Sequence, residues 1–155
     1  MGTQTQEQTA IEQLDATRSV ALATGLGYAG AVPPALAWAL VSSGQALLVD
    51  VRTAEERKFV GHVPGSIHVP WATSTNLTRN PRFVRELEAK VPQDANVLLL
   101  CRSGKRSVLA AEQATKAGLT RVFNILEGFE GELNAVQQRG VEGGWRYRGL
   151  PWVQD

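Results

Sequence analysis

Short apolar runs that alternate with helical segments constrain the fold of this chain more than any other feature. Three runs, "ALLVD" (46–50), "NVLLLC" (96–101) and "RVFNIL" (121–126), each have the length of one buried strand. Because strands that are separated by helices pair in parallel and need cover on both faces, the alternation predicts an α/β fold. We expect a single domain with a mainly parallel central sheet flanked by helices on both faces.

Helical periodicity and capping residues mark the segments between these strands. Prolines in a first turn, Thr53 as a candidate cap and one-sided apolar spacing predict helices within 33–44, 53–60, 80–91 and 105–118. A short alternating strand is expected at 66–69. A short amphipathic N-terminal helix is predicted from Ile11, Leu14, Val20, Ala21 and Leu22. We therefore divide the chain into an N-terminal helical extension (1–24) and one domain (25–155).

The segment "GLGYAG" (25–30) fits the G-x-G-x-x-G pattern of dinucleotide-binding units, and Asp50 ends a predicted strand farther along the chain. In such a unit the helix begins inside the glycine motif. That arrangement would place Pro33 and Pro34 in the second helical turn, where proline removes hydrogen bonds and clashes with the backbone. A plain glycine-rich connection is therefore the preferred interpretation.

The overall charge excludes a general attraction to nucleic acid or to anionic membranes. The 155 residues carry a formal net charge of +1, so any basic feature that matters must be local. No apolar span is long enough to cross a bilayer, and the first residues lack the basic and apolar regions of a secretory signal. A single cysteine cannot form an internal disulfide, which fits a reducing compartment, so we expect a cytoplasmic protein.

That cysteine, Cys101, closes the most apolar of the predicted strands and precedes the residues Arg-Ser-Gly-Lys. Open α/β sheets place ligands at the carboxyl ends of their strands, and a helix is predicted to begin within about four residues. A tight loop that enters a helix points backbone N–H groups inward, and Gly104 can adopt a conformation closed to other residues. These donors, the helix dipole and the basic side chains favour a thiolate on Cys101 and an anion beside it.

Two segments, "LLVDVRTAEERKFVGHVPGSIHVPW" (47–71) and "VLLLCRSGKRSVLAAEQATKAG" (97–118), resemble the first signature and the active-site loop of the rhodanese family of sulfurtransferases. "NILEGFEG" and "GGWRYRGLPW" resemble the end of such domains, so the resemblance covers residues 27–155. It implies a thiosulfate sulfurtransferase, in which Cys101 takes a sulfane sulfur from an anionic donor and becomes a persulfide. The sulfur then passes to cyanide or another thiophilic acceptor. No metal and no organic cofactor are implied.

Each residue of the loop has an expected role. Cys101 is the catalytic nucleophile, since a thiolate both attacks a sulfane sulfur and leaves readily. The amides of residues 102–106 should hold the outer sulfur or the donor oxygens, and Arg102 or Arg106 could bind a sulfonate through forked hydrogen bonds. Asp50 and Arg52 are expected to form an ion pair that supports the site. The predicted substrate-binding residues are Arg102, Ser103, Gly104, Lys105, Arg106 and Ser107.

Two histidines and a C-terminal aromatic cluster are interpreted as structural. His62 and His68 flank a Pro-Gly turn, and with one cysteine they do not supply the well-spaced ligands of a zinc site, so no metal is expected. Trp145, Tyr147 and Trp152 alternate with arginines. Aromatic side chains that cover the core explain this short patch better than nucleic-acid binding does.

Two other functions stay open from the sequence. A phosphatase or arsenate reductase related to the rhodanese family would also use a cysteine and an arginine in a loop at a helix N-terminus. Those enzymes, however, place five residues between the cysteine and the arginine. The loop of this chain has four, "RSGK". A carrier or binding module would instead hand the persulfide sulfur to a partner protein.

Overall fold

The computed structural model describes the backbone of residues 2–155 and the side chains of residues 6–155. In this part of the chain the helices are α1 (Gly2–Ala23), α2 (Pro34–Ser42), α3 (Ala54–Val60), α4 (Phe83–Lys90) and α5 (Arg106–Lys116). The strands are β1 (Ala31–Val32), β2 (Leu47–Asp50), β3 (Ile67–His68), β4 (Ala72–Thr73), β5 (Thr78–Arg79), β6 (Val97–Leu100) and β7 (Val122–Ile125).

Five of the strands form one parallel sheet in the order β1-β7-β6-β2-β3. Strand β6 lies in the middle, where its Leu99 pairs with Val49 of β2 and with Asn124 of β7. All four residues of β6 are buried. Because both faces of this strand are covered, every side chain on it can be apolar, which explains the uninterrupted run in the sequence. The prediction of an α/β fold with a parallel sheet is confirmed.

Helices pack on both faces of the sheet, as predicted. Side chains alternate along β6: Val97 and Leu99 join one buried cluster, and Leu98 and Leu100 join the other. The first cluster includes Phe83 and Leu87 of α4 and Ala110, Ala111 and Ala114 of α5, and the second includes Leu14 of α1 and Ala37 and Leu40 of α2. The sheet is therefore fixed between two helical layers, which holds the end of β6 in place.

The N-terminal helix is present, but it differs from the prediction in length and packing. Helix α1 has 22 residues, so it is not short. Its buried residues Ala10, Leu14 and Ala21 share one face, whereas Val20 and Leu22 are mostly exposed. The reason is the helical repeat of about 100° per residue, which turns the two neighbours of Ala21 to either side of the buried face. The helix packs on the core, and the proposed boundary after residue 24 stays a prediction.

The remaining differences between the predicted and the observed secondary structure are short strands. Strand β1 and the antiparallel hairpin of β4 and β5 have two residues per strand, too few for a periodic pattern to predict. Strand β1 follows the glycine-rich segment, and α2 begins after it, with Pro33 at the N-cap and Pro34 in the first turn. The glycine motif therefore precedes a strand instead of opening a helix, in agreement with the preferred interpretation.

Candidate active site

Cys101 lies directly after β6, where the chain enters the loop that leads into α5. The backbone N–H of Gly104 donates a hydrogen bond to Cys101 Sγ at 3.0 Å. Gly104 has a φ of +96°, a left-handed conformation that residues with a Cβ adopt only with strain. The positive end of the α5 helix dipole also lies at this loop, so an anion bound at the loop would face both the Gly104 N–H and this dipole.

Ser107, in the first turn of α5, makes a second contact to the sulfur. Its Oγ lies 3.2 Å from Cys101 Sγ and also donates a hydrogen bond to Asn124 Oδ1 on β7. Both Ser107 and Asn124 are buried. While the hydroxyl donates to Asn124, it can accept from the Cys101 thiol, and the same hydroxyl can turn to donate to a charged sulfur. Ser107 can therefore stabilise either protonation state of Cys101.

Two cavities flank the loop. The first, which we call the Arg102 cavity, has a volume of about 230 Å³, and its lining includes Glu55, Glu56, Arg102, Arg106 and Glu130. The lining of the second includes Ser103, Gly104, Lys105, Asn124, Glu127 and Glu132. Cys101 is only 1% exposed and lines neither cavity. A donor that enters either cavity therefore meets the outer side chains of the loop before it meets the sulfur.

Each basic side chain of the loop is paired with a glutamate. Arg106 donates a forked pair of hydrogen bonds to Glu56 of α3, at 2.8 and 2.7 Å. Arg102 Nε lies 3.4 Å from a carboxylate oxygen of Glu130, and the exposed Lys105 lies 3.6 Å from Glu132. From the sequence we expect these cations to bind a donor anion, and in the structure a carboxylate lies against each of them.

The pair of Arg106 and Glu56 is charged at neutral pH. Burial would raise the pKa of Glu56, but the hydrogen bond and charge of Arg106, with smaller contributions from Thr53 and Arg52, hold this pKa below its usual value. Burial would lower the pKa of Arg106, but Glu56 and the negative charges of Cys101 and Asp50 raise it. Glu56 also completes the capping box of α3 with Thr53, the predicted cap.

Asp50 and Arg52 form an ion pair that is fully buried at the end of β2, the neighbour of β6. Arg52 donates to both carboxylate oxygens, at 3.0 and 2.7 Å, and to the carbonyl of Gly61 at 2.8 Å. Arg57 adds a second cation to Asp50 at 3.0 Å. The Arg52 guanidinium also stacks over the ring of Phe129 at 4.1 Å. This network joins the end of β2 to the segment that follows β7; its role in supporting the site stays a prediction.

The segment 127–131 packs against the active-site loop and donates backbone hydrogen bonds to it. Phe129 N donates to the Cys101 carbonyl at 2.7 Å, and Glu130 N donates to the Arg102 carbonyl at 2.9 Å. Gly128 permits this approach, because it has a φ of +69° and an added Cβ would lie only 2.5 Å from Arg102 O and Ser103 N. The backbone of the loop is therefore set by this segment as well as by its own sequence.

The residues interpreted as structural lie away from the sulfur contacts. His68 Nε2 donates to the Arg52 carbonyl at 2.7 Å, and burial lowers the pKa of His68 despite that hydrogen bond and the charge of Asp50. Trp145 is fully buried, and the backbone of His62 pairs with Val153. Among residues 6–155 no group of three or more His, Cys, Asp or Glu side chains could hold a metal ion. No helix of the described chain is long and apolar enough to span a membrane.

Four residues of the site were not singled out from the sequence: Glu56, Asn124, Gly128 and Glu130. For Glu56 a local signal existed, because Thr53 and Glu56 have the spacing of a capping box. That signal marks a helix start and says nothing of Arg106, which lies 50 positions away. The other three residues reach the loop only through the pairing of β7 with β6 and the turn that follows.

The family described as Rhodanese-like domain has a sequence profile that matches residues 33–135. The crystal structure of Rv0390 from M. tuberculosis is similar, with a TM-score of 0.75 and 45% identity, over 83% of this chain and 99% of that one. An uncharacterized protein of Rickettsia conorii is 36% identical over 118 residues, which are 73% of this chain and 87% of the relative. Thiosulfate sulfurtransferase 16, chloroplastic, of Arabidopsis thaliana is 35% identical over 83 residues, 52% of this chain and 68% of the relative. The region matched by the profile includes Asp50, Cys101 and α5.

Proposed function

Since this chain belongs to the rhodanese-like domain family, we propose that it is a sulfurtransferase that moves a sulfane sulfur through a persulfide on Cys101. The similarity to a relative named as a thiosulfate sulfurtransferase supports this chemistry. The observation that carries the proposal is the position of Cys101 Sγ, which directly follows the central strand β6 and accepts a hydrogen bond from Gly104 N in the loop before α5. A cysteine sulfur at the end of a strand, facing a backbone N–H donor, is placed as a nucleophile would be.

In the first half-reaction the Cys101 thiolate attacks the sulfane sulfur of an anionic donor such as thiosulfate. The bond between the two thiosulfate sulfurs breaks, its electron pair leaves with sulfite, and Cys101 holds the transferred sulfur as a persulfide anion. In the second half-reaction cyanide or another thiophilic acceptor attacks the outer sulfur. Thiocyanate then leaves, and the thiolate of Cys101 is restored. Both steps are exchanges at sulfur that balance without a metal or an organic cofactor.

The loop supplies the proposed binding groups for the donor and for the outer sulfur. We expect the amides of residues 102–106 to hold the outer sulfur or the donor oxygens, as Gly104 N already donates to Sγ, and Ser107 can donate to a charged sulfur. Arg102, Lys105 and Arg106 are the proposed contacts for a donor anion, through N–H groups that do not bind their glutamate partners or after those partners move. A protein that receives the persulfide sulfur is a further proposed partner, and a cytoplasmic location stays a proposal from the single cysteine.

Thiocyanate formation tests this function. The purified protein is incubated with thiosulfate and cyanide, and thiocyanate is measured as its coloured iron complex. We expect turnover that saturates with thiosulfate in the wild type and none in Cys101→Ser, whose hydroxyl stays protonated and cannot carry a sulfane sulfur. Equal turnover by the two proteins would show that the nucleophile lies elsewhere.

A further inference from the structure

A buried polar pair, Ser107 and Asn124, lies beside Cys101 between helix α5 and strand β7. Ser107 shares the buried side of α5 with three alanines, and Asn124 is the polar residue of the fully buried β7. Burying a hydroxyl and an amide costs free energy unless they are hydrogen-bonded, and an apolar pair would fill this layer without that cost. The pair is therefore best explained by its effect on the neighbouring sulfur.

The Ser107 hydroxyl connects the sulfur to the amide of Asn124. Its Oγ lies 3.2 Å from Cys101 Sγ and donates a hydrogen bond to Asn124 Oδ1. Side chains alternate along β7, so Asn124 points to the same face as Val122, the face that carries Cys101 and packs on α5. The effect of Asn124 on the sulfur therefore passes through the Ser107 hydroxyl.

The hydroxyl has a single proton, so it can donate to only one neighbour at a time. In the structure it donates to Asn124 Oδ1, an arrangement that leaves its lone pairs to accept from a Cys101 thiol. When the sulfur is a thiolate, the hydroxyl does better to donate to Sγ, because hydrogen bonds to charged groups are the stronger ones. Asn124 must then supply a donor to Ser107 Oγ in place of an acceptor.

An asparagine amide can meet both needs. A half-turn of the amide exchanges Oδ1 for Nδ2, whose N–H then donates to Ser107 Oγ while the hydroxyl donates to the sulfur. Nδ2 donates to no group of residues 6–155, so this turn breaks no other hydrogen bond among them. A leucine at this position would offer neither group, and an aspartate would offer the acceptor alone.

We propose that Asn124 is a positioning residue for sulfur transfer, which holds the Ser107 hydroxyl against Cys101 Sγ and lets it change direction as the sulfur changes state. This inference rests on the proposed function, because it concerns the same persulfide on Cys101. In the thiolate the charge lies on Sγ, and the hydroxyl donates to it. When Sγ bonds to the sulfane sulfur and sulfite leaves with the electron pair of the broken bond, the charge lies on the outer sulfur. The hydroxyl then turns back to Asn124 Oδ1, and no proton is gained or lost.

Single-turnover loading of Cys101 from thiosulfate, followed by intact-protein mass, tests the proposal. Asn124→Leu replaces the amide by an apolar side chain of similar size, and Asn124→Ala removes it without adding apolar volume. Ser107→Ala removes the hydroxyl, and a double variant combines Ser107→Ala with Asn124→Leu. Urea unfolding shows that each variant is folded before its rate is compared.

Asn96→Leu is the matched control. Asn96 directly precedes β6, at the end of the strand opposite Cys101, and its side chain also makes hydrogen bonds to residues far along the chain. This variant therefore loses the hydrogen bonds of an amide without touching the sulfur.

We expect Asn124→Leu and Asn124→Ala to lower the loading rate at saturating thiosulfate by about tenfold to a hundredfold, as for the loss of one hydrogen bond to a charged group. The thiosulfate concentration that gives half the maximal rate should not change, because Asn124 acts on the sulfur and not on donor binding. Ser107→Ala should show a similar fall, and the double variant should fall no further than Ser107→Ala. Asn96→Leu should load at the wild-type rate.

A wild-type loading rate in the folded Asn124 variants would overturn the inference, and so would the same fall in Asn96→Leu. A further fall in the double variant would also overturn it, because Asn124 would then act on the sulfur without Ser107. A change in the half-saturating thiosulfate concentration alone would show that Asn124 binds the donor instead. In all these cases the wild type still forms the persulfide, whereas no sulfur on a wild type with a free thiol would overturn the proposed function itself.

Discussion

Replacing Gly128 by alanine tests whether the segment 127–131 sets the position of the active-site loop. Gly128 has a φ of +69°, and an added Cβ would lie 2.5 Å from Arg102 O and Ser103 N. The left-handed conformation costs a residue with a Cβ ~1–2 kcal/mol. Because backbone atoms must move apart, a cost of ~1–3 kcal/mol that is typical of overpacking is added. We expect Gly128→Ala to lower the free energy of unfolding by about 2–5 kcal/mol.

Gly44→Ala is the matched control. Gly44 has a similar φ of +77°, but nothing lies within 4 Å of an added Cβ. In this variant only the left-handed backbone conformation lowers the free energy of unfolding, by ~1–2 kcal/mol. Both variants are unfolded in urea, with tryptophan fluorescence as the probe, and their sulfur loading from thiosulfate is compared. Gly128→Ala should also load more slowly, because the displaced backbone carries Gly104 away from Cys101 Sγ.

If the two variants lose the same free energy of unfolding, the close approach of Gly128 to the loop adds no destabilisation, and segment 127–131 does not set the position of the loop. If Gly128→Ala loses more stability but loads sulfur at the rate of Gly44→Ala, the segment stabilises the fold without positioning the loop.

Four further outcomes are expected. Cys101→Ser should form no thiocyanate while its urea midpoint stays close to that of the wild type. Asp50→Asn should lower the free energy of unfolding in urea by about 3–5 kcal/mol, because Arg52 is left buried without its charge partner. The pKa of His68 is lowered by burial, so near pH 6.5 and just below it the folded state binds fewer protons than the unfolded state. The free energy of unfolding should therefore decrease as the pH is lowered through this range. His68→Gln should reduce this slope between about pH 7.5 and about pH 5.5. The wild type should not hydrolyse aryl phosphates, and one residue inserted after Gly104 should improve arsenate binding measured by calorimetry, because a wider loop can surround a tetrahedral anion.

The fold could be predicted from the sequence wherever a local pattern decides the structure. The apolar run of β6 is uninterrupted because both faces are covered, and Thr53 caps α3 through contacts within one turn. Strand β1 could not be predicted, because it has two residues and its hydrogen bonds depend on β7, far along the chain. The buried face of α1 follows small residues such as Ala10 and Ala21, whose low hydrophobicity gives a weak periodic signal.

In the active site, too, some features follow from the local sequence and others depend on distant parts of the chain. Cys101, Gly104 and the start of α5 are close in sequence, so their geometry follows from one strand, one loop and one helix. The glutamates could not be predicted, because Glu56 reaches Arg106 across 50 positions of the chain and only the assembled sheet brings them together. A loop that has three cations in the sequence is therefore close to neutral in the structure.

Intact-protein mass after incubation with thiosulfate under non-reducing conditions shows whether Cys101 forms a persulfide. The wild type should gain the mass of one sulfur atom, peptide mapping should place it on Cys101, and cyanide should remove it. Cys101→Ser, treated in the same way, should gain nothing. A wild-type protein whose thiol is free and reactive with an alkylating agent but gains no sulfur would contradict persulfide formation on Cys101, and so would an equal gain in Cys101→Ser.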